Sequence, residues 1–225
     1  MRIFRTLNLW VDSTERNGPD AMAVDEWLFM TTVQPILRVY RWQKGWISMG
    51  YFGNKSAALA AFPDLNLVRR CTGGGIVDHR NDWTYSLIVP PSEALARSRG
   101  STSYQTIHQV LAKILRDEGI ICGITSSDGE ESSEVCFRGP VKHDLIQGGG
   151  VKLAGAGQKR SKFGLLHQGS VASPLVEIET FHQRSKSFAS ALADSANETI
   201  YFPPSERIDE ISASRYGSAK WSELR

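Results

Sequence analysis

A chain of 225 residues, 41% hydrophobic and 22% charged, holds enough apolar material for one substantial core, or a core with a small appendage. Its net charge of +2 argues against a nucleic-acid-coating protein, and no run of about 18 apolar residues is present to span a membrane. Met1-Arg2-Ile3-Phe4-Arg5 lacks the apolar stretch and cleavage site of a signal peptide, and Cys71, Cys122 and Cys136 show no metal-ligand spacing, so a reducing cytoplasm is the expected compartment.

Along the chain, a Pro/Asp start signal and apolar residues at helical spacing (Met22, Val24, Leu28, Phe29) predict a helix over Pro19–Val33. Ile36–Trp42 and Trp46–Tyr51 read as strands about a Lys44-Gly45 turn, and Asn54 as the cap of a short helix through Ala61. Leu67–Arg70 and Trp83–Val89 are expected strands. Ser103–Glu118 carries Ile107, Val110, Leu111 and Ile114 on one helical face. A strand is then expected at Ile121–Thr125, followed by an acidic, Ser-rich loop at Ser126–Glu134. Val141–Ile146 and Val151–Ala156 fit a hairpin, His167–Ala172 a further strand, and Val176–Ala193 and Pro204–Ala213 helices. The pattern implies one α/β domain, a mixed β-sheet flanked by helices, over residues 1–197, with a short helical tail at 198–225 and no full accessory domain.

Two glycine-rich elements interrupt this regular pattern. The first, Arg69-Arg70-Cys71-Thr72-Gly73-Gly74-Gly75, lies between expected strands and runs on to His79. Without a Cβ, such a stretch lets backbone approach another chain or a ligand closely. Arg70 and His79 beside it could serve a carboxylate, carbonyl or phosphate. The second runs from Gly148-Gly149-Gly150 through Lys152, Gly155 and Gln158 to Arg160, with Leu166-His167-Gln168-Gly169-Ser170 after it. Small residues follow Leu153 where a strand interior would carry bulk, leaving room for a ligand. A lysine in that setting can bind an acyl carbonyl or lower the pKa of a nearby thiol.

Together these motifs, with Gly18-Pro19-Asp20-Ala21-Met22-Ala23-Val24-Asp25-Glu26 upstream and Thr84-Tyr85-Ser86-Leu87 between, resemble the lipoate-protein ligase and octanoyltransferase family over roughly residues 8 to 195. The resemblance implies a biotin/lipoate ligase-transferase catalytic domain. It also implies catalytic roles for Cys136 and Lys152, and a substrate pocket built from Arg70, Thr72, Gly73, Gly74, Gly75, His79, Gly155, Gln158, His167 and Gly169. Two activities follow from the family. An octanoyltransferase takes its acyl group from acyl carrier protein through a cysteine thioester and needs no further cofactor. A ligase activates free lipoate with ATP and Mg. Either would act on the lysine of a lipoyl domain or of the glycine-cleavage H protein.

Cys136-Phe137, ahead of Lys152, resembles the transferases whose nucleophile precedes the lysine strand; Cys122 sits in an apolar strand and Cys71 at a variable position of the motif. Asp78 replaces the aromatic residue that often precedes the histidine, and Val141-Lys142-His143-Asp144 stands where many ligases have Asn-Asp, which disfavours adenylation. A basic stretch of Arg138, Lys142, Lys152, Lys159, Arg160 and Lys162 against the lone acid Asp144 suits an acidic carrier protein or an ordinary solvated face. His108, His143 and His182 fall outside the motifs, and no histidine pair has metal-ligand spacing. Neither a P-loop nor the Gly-Arg-Gly-Arg-x-Gly loop of biotin ligases is present. A non-catalytic acyl or lipoyl-domain binder is the third reading.

Overall fold

The structure, a computed structural model, describes residues 2–126, 139–172 and 178–224. Its elements in chain order are β1 (Phe4–Arg16), α1 (Gly18–Thr31), β2 (Ile36–Trp42), β3 (Trp46–Met49), α2 (Lys55–Ala61), β4 (Asn66–Arg69), β5 (Ile76–Asp78) and β6 (Asp82–Val89). Then come α3 (Ala94–Arg97), α4 (Gly100–Asp117), β7 (Gly123–Ile124), β8 (Leu145–Gln147), β9 (Val151–Ser161), β10 (Gly164–Ala172), α5 (Ile178–Leu192) and β11 (Ala193–Glu198). The tail holds α6 (Ser205–Ile211), a π-helical turn at Ser212–Tyr216, and α7 (Ala219–Ser222).

Among the described residues, eight strands form one mixed sheet in the order β11-β1-β2-β6-β10-β9-β8-β7. β11, β1 and β2 run parallel, and each later pair is antiparallel. A small sheet, β4-β3-β5, lies apart. The two-residue period of β6 sorts its side chains: Trp83, Tyr85, Leu87 and Val89 join the core under α4 and α5, while Ile88 packs in the core around α1. The amphipathic face expected for α4 is present, with Ile107, Leu111, Ile114 and Leu115 buried. Helix α1 begins where Asn17 accepts a hydrogen bond from the Asp20 amide. It is buried along much of its surface because Ile208, Ile211 and Tyr216 of the tail cover the side facing away from the sheet.

Several elements depart from the sequence expectation. β1 has no counterpart there: Leu7, Leu9 and Trp10 are buried between β11 and β2, so alternation is weak and the composition is mixed. β5 is only three residues long, and β11 takes up the last residue of the expected Val176–Ala193 helix and continues to Glu198, paired parallel with β1. The expected hairpin exists, but its first strand shortens to Leu145–Gln147, because Val141–Asp144 forms a turn in which His143 has φ of 73°.

On the α1 face, the sheet buries charge. Arg38 donates to Asp25 at 2.7 Å and to Asp12 at 2.8 Å, with its side chain fully enclosed. Asp25 also accepts from Tyr40, Ser86 and Gln168. Replacing Arg38 with Met would leave the buried Asp25 without its cation and Asp12 with Arg16 alone. Urea unfolding of Arg38→Met is expected to show a loss of about 3–5 kcal/mol, far more than deletion of an exposed charge.

Candidate active site

A cavity of about 530 Å³ opens between the small sheet, the ends of β2, β6 and β10, and the start of β9. Arg70, Gly74, Gly75, His79, Lys152, Gly155 and Gly169 line it, so seven of the twelve expected site residues meet at one place. Phe62, Ile76, Val77, Val151 and Leu153 give it an apolar portion. Cys136 lies outside the described residues.

Arg70 is the buried cation of the cavity. It donates to Ser48 Oγ at 2.5 Å and to the carbonyls of Gly75 and Gly73 at 2.9 and 3.3 Å. Burial lowers its guanidinium to about 10, so it remains protonated at neutral pH. Ser48 also meets His79 Nε2 at 2.6 Å, and His79 Nδ1 meets Asp82 Oδ2 at 2.8 Å. A carboxylate only accepts, so the proton sits on Nδ1, and Nε2 is free to accept the Ser48 proton. The lone pairs of Ser48 are then left for Arg70. Asp82 additionally accepts from Thr84 and Ser170, and Trp42 stacks on the imidazole at 3.9 Å. His79 therefore braces Arg70 through Ser48.

Lys152 differs from the apolar-flanked lysine expected from sequence. Its ammonium lies 2.7 Å from Asp144, a fully buried carboxylate on the turn before β8. Tyr104 donates to the other Asp144 oxygen at 2.5 Å, and the Val141 amide donates to Oδ2 at 2.8 Å. The Lys152 side chain lies over Gly155, where a Cβ would come within 2.4 Å of Lys152 Cε. Gly155 is thus the gap through which the lysine reaches its partner. Asp144 and Tyr104 are functional candidates that motif reading missed; the one signal was a lone acid inside a basic stretch. The same stretch is less of an open basic face than expected, since Arg160 turns inward to Ala96 O and Ser103 Oγ.

Thr72, Gly73, Gln158 and His167 support the cavity from behind instead of lining it. Thr72 donates to Gln168, which donates to Asp25, tying the glycine loop to the charged core. The Gln158 carbonyl receives the Gly73 amide at 3.4 Å, while its side-chain amide donates to His167 Nδ1 at 3.0 Å. His167 Nε2 then carries the proton and faces Tyr85 OH at 3.1 Å. Burial holds His167 well below the usual imidazole range, which removes it as a proton carrier.

The chain belongs to the family described as the lipoyl protein ligase A/B catalytic domain, whose model matches residues 17–198. It is 31% identical over 217 residues to octanoyltransferase LipM of Bacillus subtilis, covering 89% of this chain and 72% of the relative. With octanoyltransferase LipM of Halalkalibacterium halodurans it shares 30% over 188 residues, covering 76% of this chain and 68% of the relative. Its fold matches that of a bi-partite lipoate protein ligase from Thermoplasma acidophilum with a TM-score of 0.72 at 18% identity, over 100% of this chain and 98% of that one. It likewise matches lipoate-protein ligase A bound with ATP, with a TM-score of 0.73 at 20% identity over 99% and 98%. The expected mixed α/β fold and family are therefore established.

Behind the cavity, His108 is fully buried. Its Nδ1 donates to the His143 carbonyl at 2.6 Å, and its Nε2 has no partner among the described residues. Burial lowers its pKa to about 4, so the folded chain keeps it neutral where the unfolded chain, near 6.5, takes up a proton. Stability from this group is complete above pH 6.5 and is lost as pH falls toward 4. Equilibrium unfolding should show about 2 kcal/mol less stability at pH 5 than at pH 7 from this residue. The difference should shrink by that amount in His108→Gln, with His167 contributing in the same direction.

Proposed function

We propose that this chain is an octanoyl/lipoyl transferase. It takes an acyl group from acyl carrier protein onto Cys136 and passes it to the lysine of a lipoyl domain or of the glycine-cleavage H protein. The observation that carries the proposal is the 31% identity to an octanoyltransferase across 89% of the chain. The cavity chemistry is consistent with it. In the first step the Cys136 thiol gives up its proton and the thiolate attacks the carrier thioester; a new C–S bond forms as the carrier's C–S bond breaks, and the carrier thiolate leaves and takes up that proton. In the second, the acceptor amine attacks the enzyme thioester, the amide forms, and Cys136 leaves as thiolate that recovers the proton lost by the amine.

Each half needs donors for a tetrahedral oxyanion and an ammonium near the sulfur. Arg70 and the backbone of Gly74 and Gly75 supply donors at the polar end of the cavity, and Lys152 supplies the ammonium. Phe62, Ile76 and Val77 offer an apolar wall to the acyl chain. Neither step requires ATP, a metal or another cofactor, and both need a reduced thiol, which fits a cytoplasmic setting. No described helix is long and apolar enough to cross a membrane. The ligase reading rests on fold likeness at low identity, and it would require ATP, Mg and free lipoate.

Intact-mass analysis after mixing with octanoyl-acyl carrier protein, without ATP, tests the proposal. One octanoyl adduct, removed by hydroxylamine and absent in Cys136→Ala, is the expected result. Lipoylation of an acceptor domain only with ATP and free lipoate would instead make the chain a ligase, and inactivity under both conditions a binder.

A further inference from the structure

Arg69 precedes the site arginine and is almost wholly buried, yet no described carboxylate pairs with it. Its guanidinium is satisfied by five backbone carbonyls. Nη1 donates to Tyr51 and Gly53 at 2.6 and 2.9 Å. Nε donates to Trp221 at 3.1 Å, and Nη2 to Ser222 and Leu224 at 3.1 and 2.7 Å. Three of the five acceptors thus come from the end of α7 and the residues just after it, where the Trp221 carbonyl also accepts the Leu224 amide. Trp221 completes the grip, its indole donating to the Arg69 carbonyl at 2.9 Å.

We infer that the Trp221–Leu224 segment is a clamp that positions the catalytic loop, with Arg69 and Trp221 as positioning residues. The inference rests on the transferase reading for its kinetic consequence alone. The route is short. Arg70 follows Arg69 directly and its amide donates to Met49, while the Tyr51 amide donates to the Thr72 carbonyl. Tyr51, whose carbonyl receives Arg69, therefore also holds the glycine loop. With α7 displaced, three N–H groups of a buried cation would lose their acceptors, a cost that moves Arg69 and its strand with it. A lysine at position 69 could not replace the arginine, because an ammonium has three donors and no planar fork.

The test uses full-length wild type, Trp221→Ala, Arg69→Met and the double variant, each assayed well below its own melting temperature. Trp221→Ala should raise hydrogen exchange at the Tyr51 and Arg70 amides and lower kcat for octanoyl transfer about tenfold, with KM for the carrier protein nearly unchanged. In the double variant the losses should be clearly less than additive, because the guanidinium and the indole hold the same segment against the same strand. If Arg69→Met does not fold, Arg69→Lys takes its place and should resemble Trp221→Ala. Wild-type exchange and kcat in Trp221→Ala, or strictly additive losses, would overturn the inference. If wild type itself forms no acyl adduct, the transferase reading fails, and the exchange measurements decide the clamp by themselves.

Discussion

The site depends on backbones brought closer together than side chains allow. A Cβ at position 157 of β9 would lie 2.1 Å from the Gly73 carbonyl, and one at position 50, just after β3, would lie 1.9 Å from the Gly74 carbonyl. The glycine loop is therefore held between two strands from different sheets, each contributing a residue without a side chain. This close packing fixes where the loop's carbonyls point. Two of them, Gly73 and Gly75, receive Arg70. The cation at the polar end of the cavity is thus oriented by backbone that cannot shift without collision.

The same region satisfies its positive charges in three ways. Arg69 is surrounded by carbonyls, Arg70 by carbonyls and a hydroxyl, and Lys152 by a carboxylate. Dipoles satisfy the donors of a guanidinium without cancelling its charge, so under the transferase reading Arg70 would keep electrostatic force for a developing oxyanion. The proton chain from Ser48 through His79 to Asp82 maintains that state. Were His79 to offer a proton to Ser48 instead, the hydroxyl would accept from two donors and hold Arg70 less well.

Glycine spacing made this site legible in the sequence, because a triple glycine beside an arginine has few purposes in a strand-rich region. The motifs located the cavity but ranked its members imperfectly. Gln158 and His167 share the motif strands with true lining residues, yet point to the opposite face, a consequence of the two-residue period. Ser48, Asp82 and Asp144 escaped notice because each acts through a pairing set by tertiary structure. β1 and β11 escaped for a related reason. A parallel strand buried on both faces has little alternation, and the Ala193–Glu198 stretch reads as polar because it sits at the sheet edge. β11 runs through Glu198, the first residue of the stretch read as a tail, and Ile208, Ile211 and Tyr216 beyond it share one core with α1.

The pairing of Lys152 with Asp144 alters how a thiol beside it would be activated. A lone ammonium lowers a thiol pKa by Coulomb attraction, but an ammonium in contact with a buried carboxylate presents a nearly neutral pair. Under the transferase reading, Lys152 therefore favours a thiolate beside it less strongly than a lone ammonium would. Asp144 is also held by two other donors, Tyr104 and the Val141 amide, so its position does not depend on the lysine alone. Gly155 is the residue that lets the lysine reach both the carboxylate and the cavity.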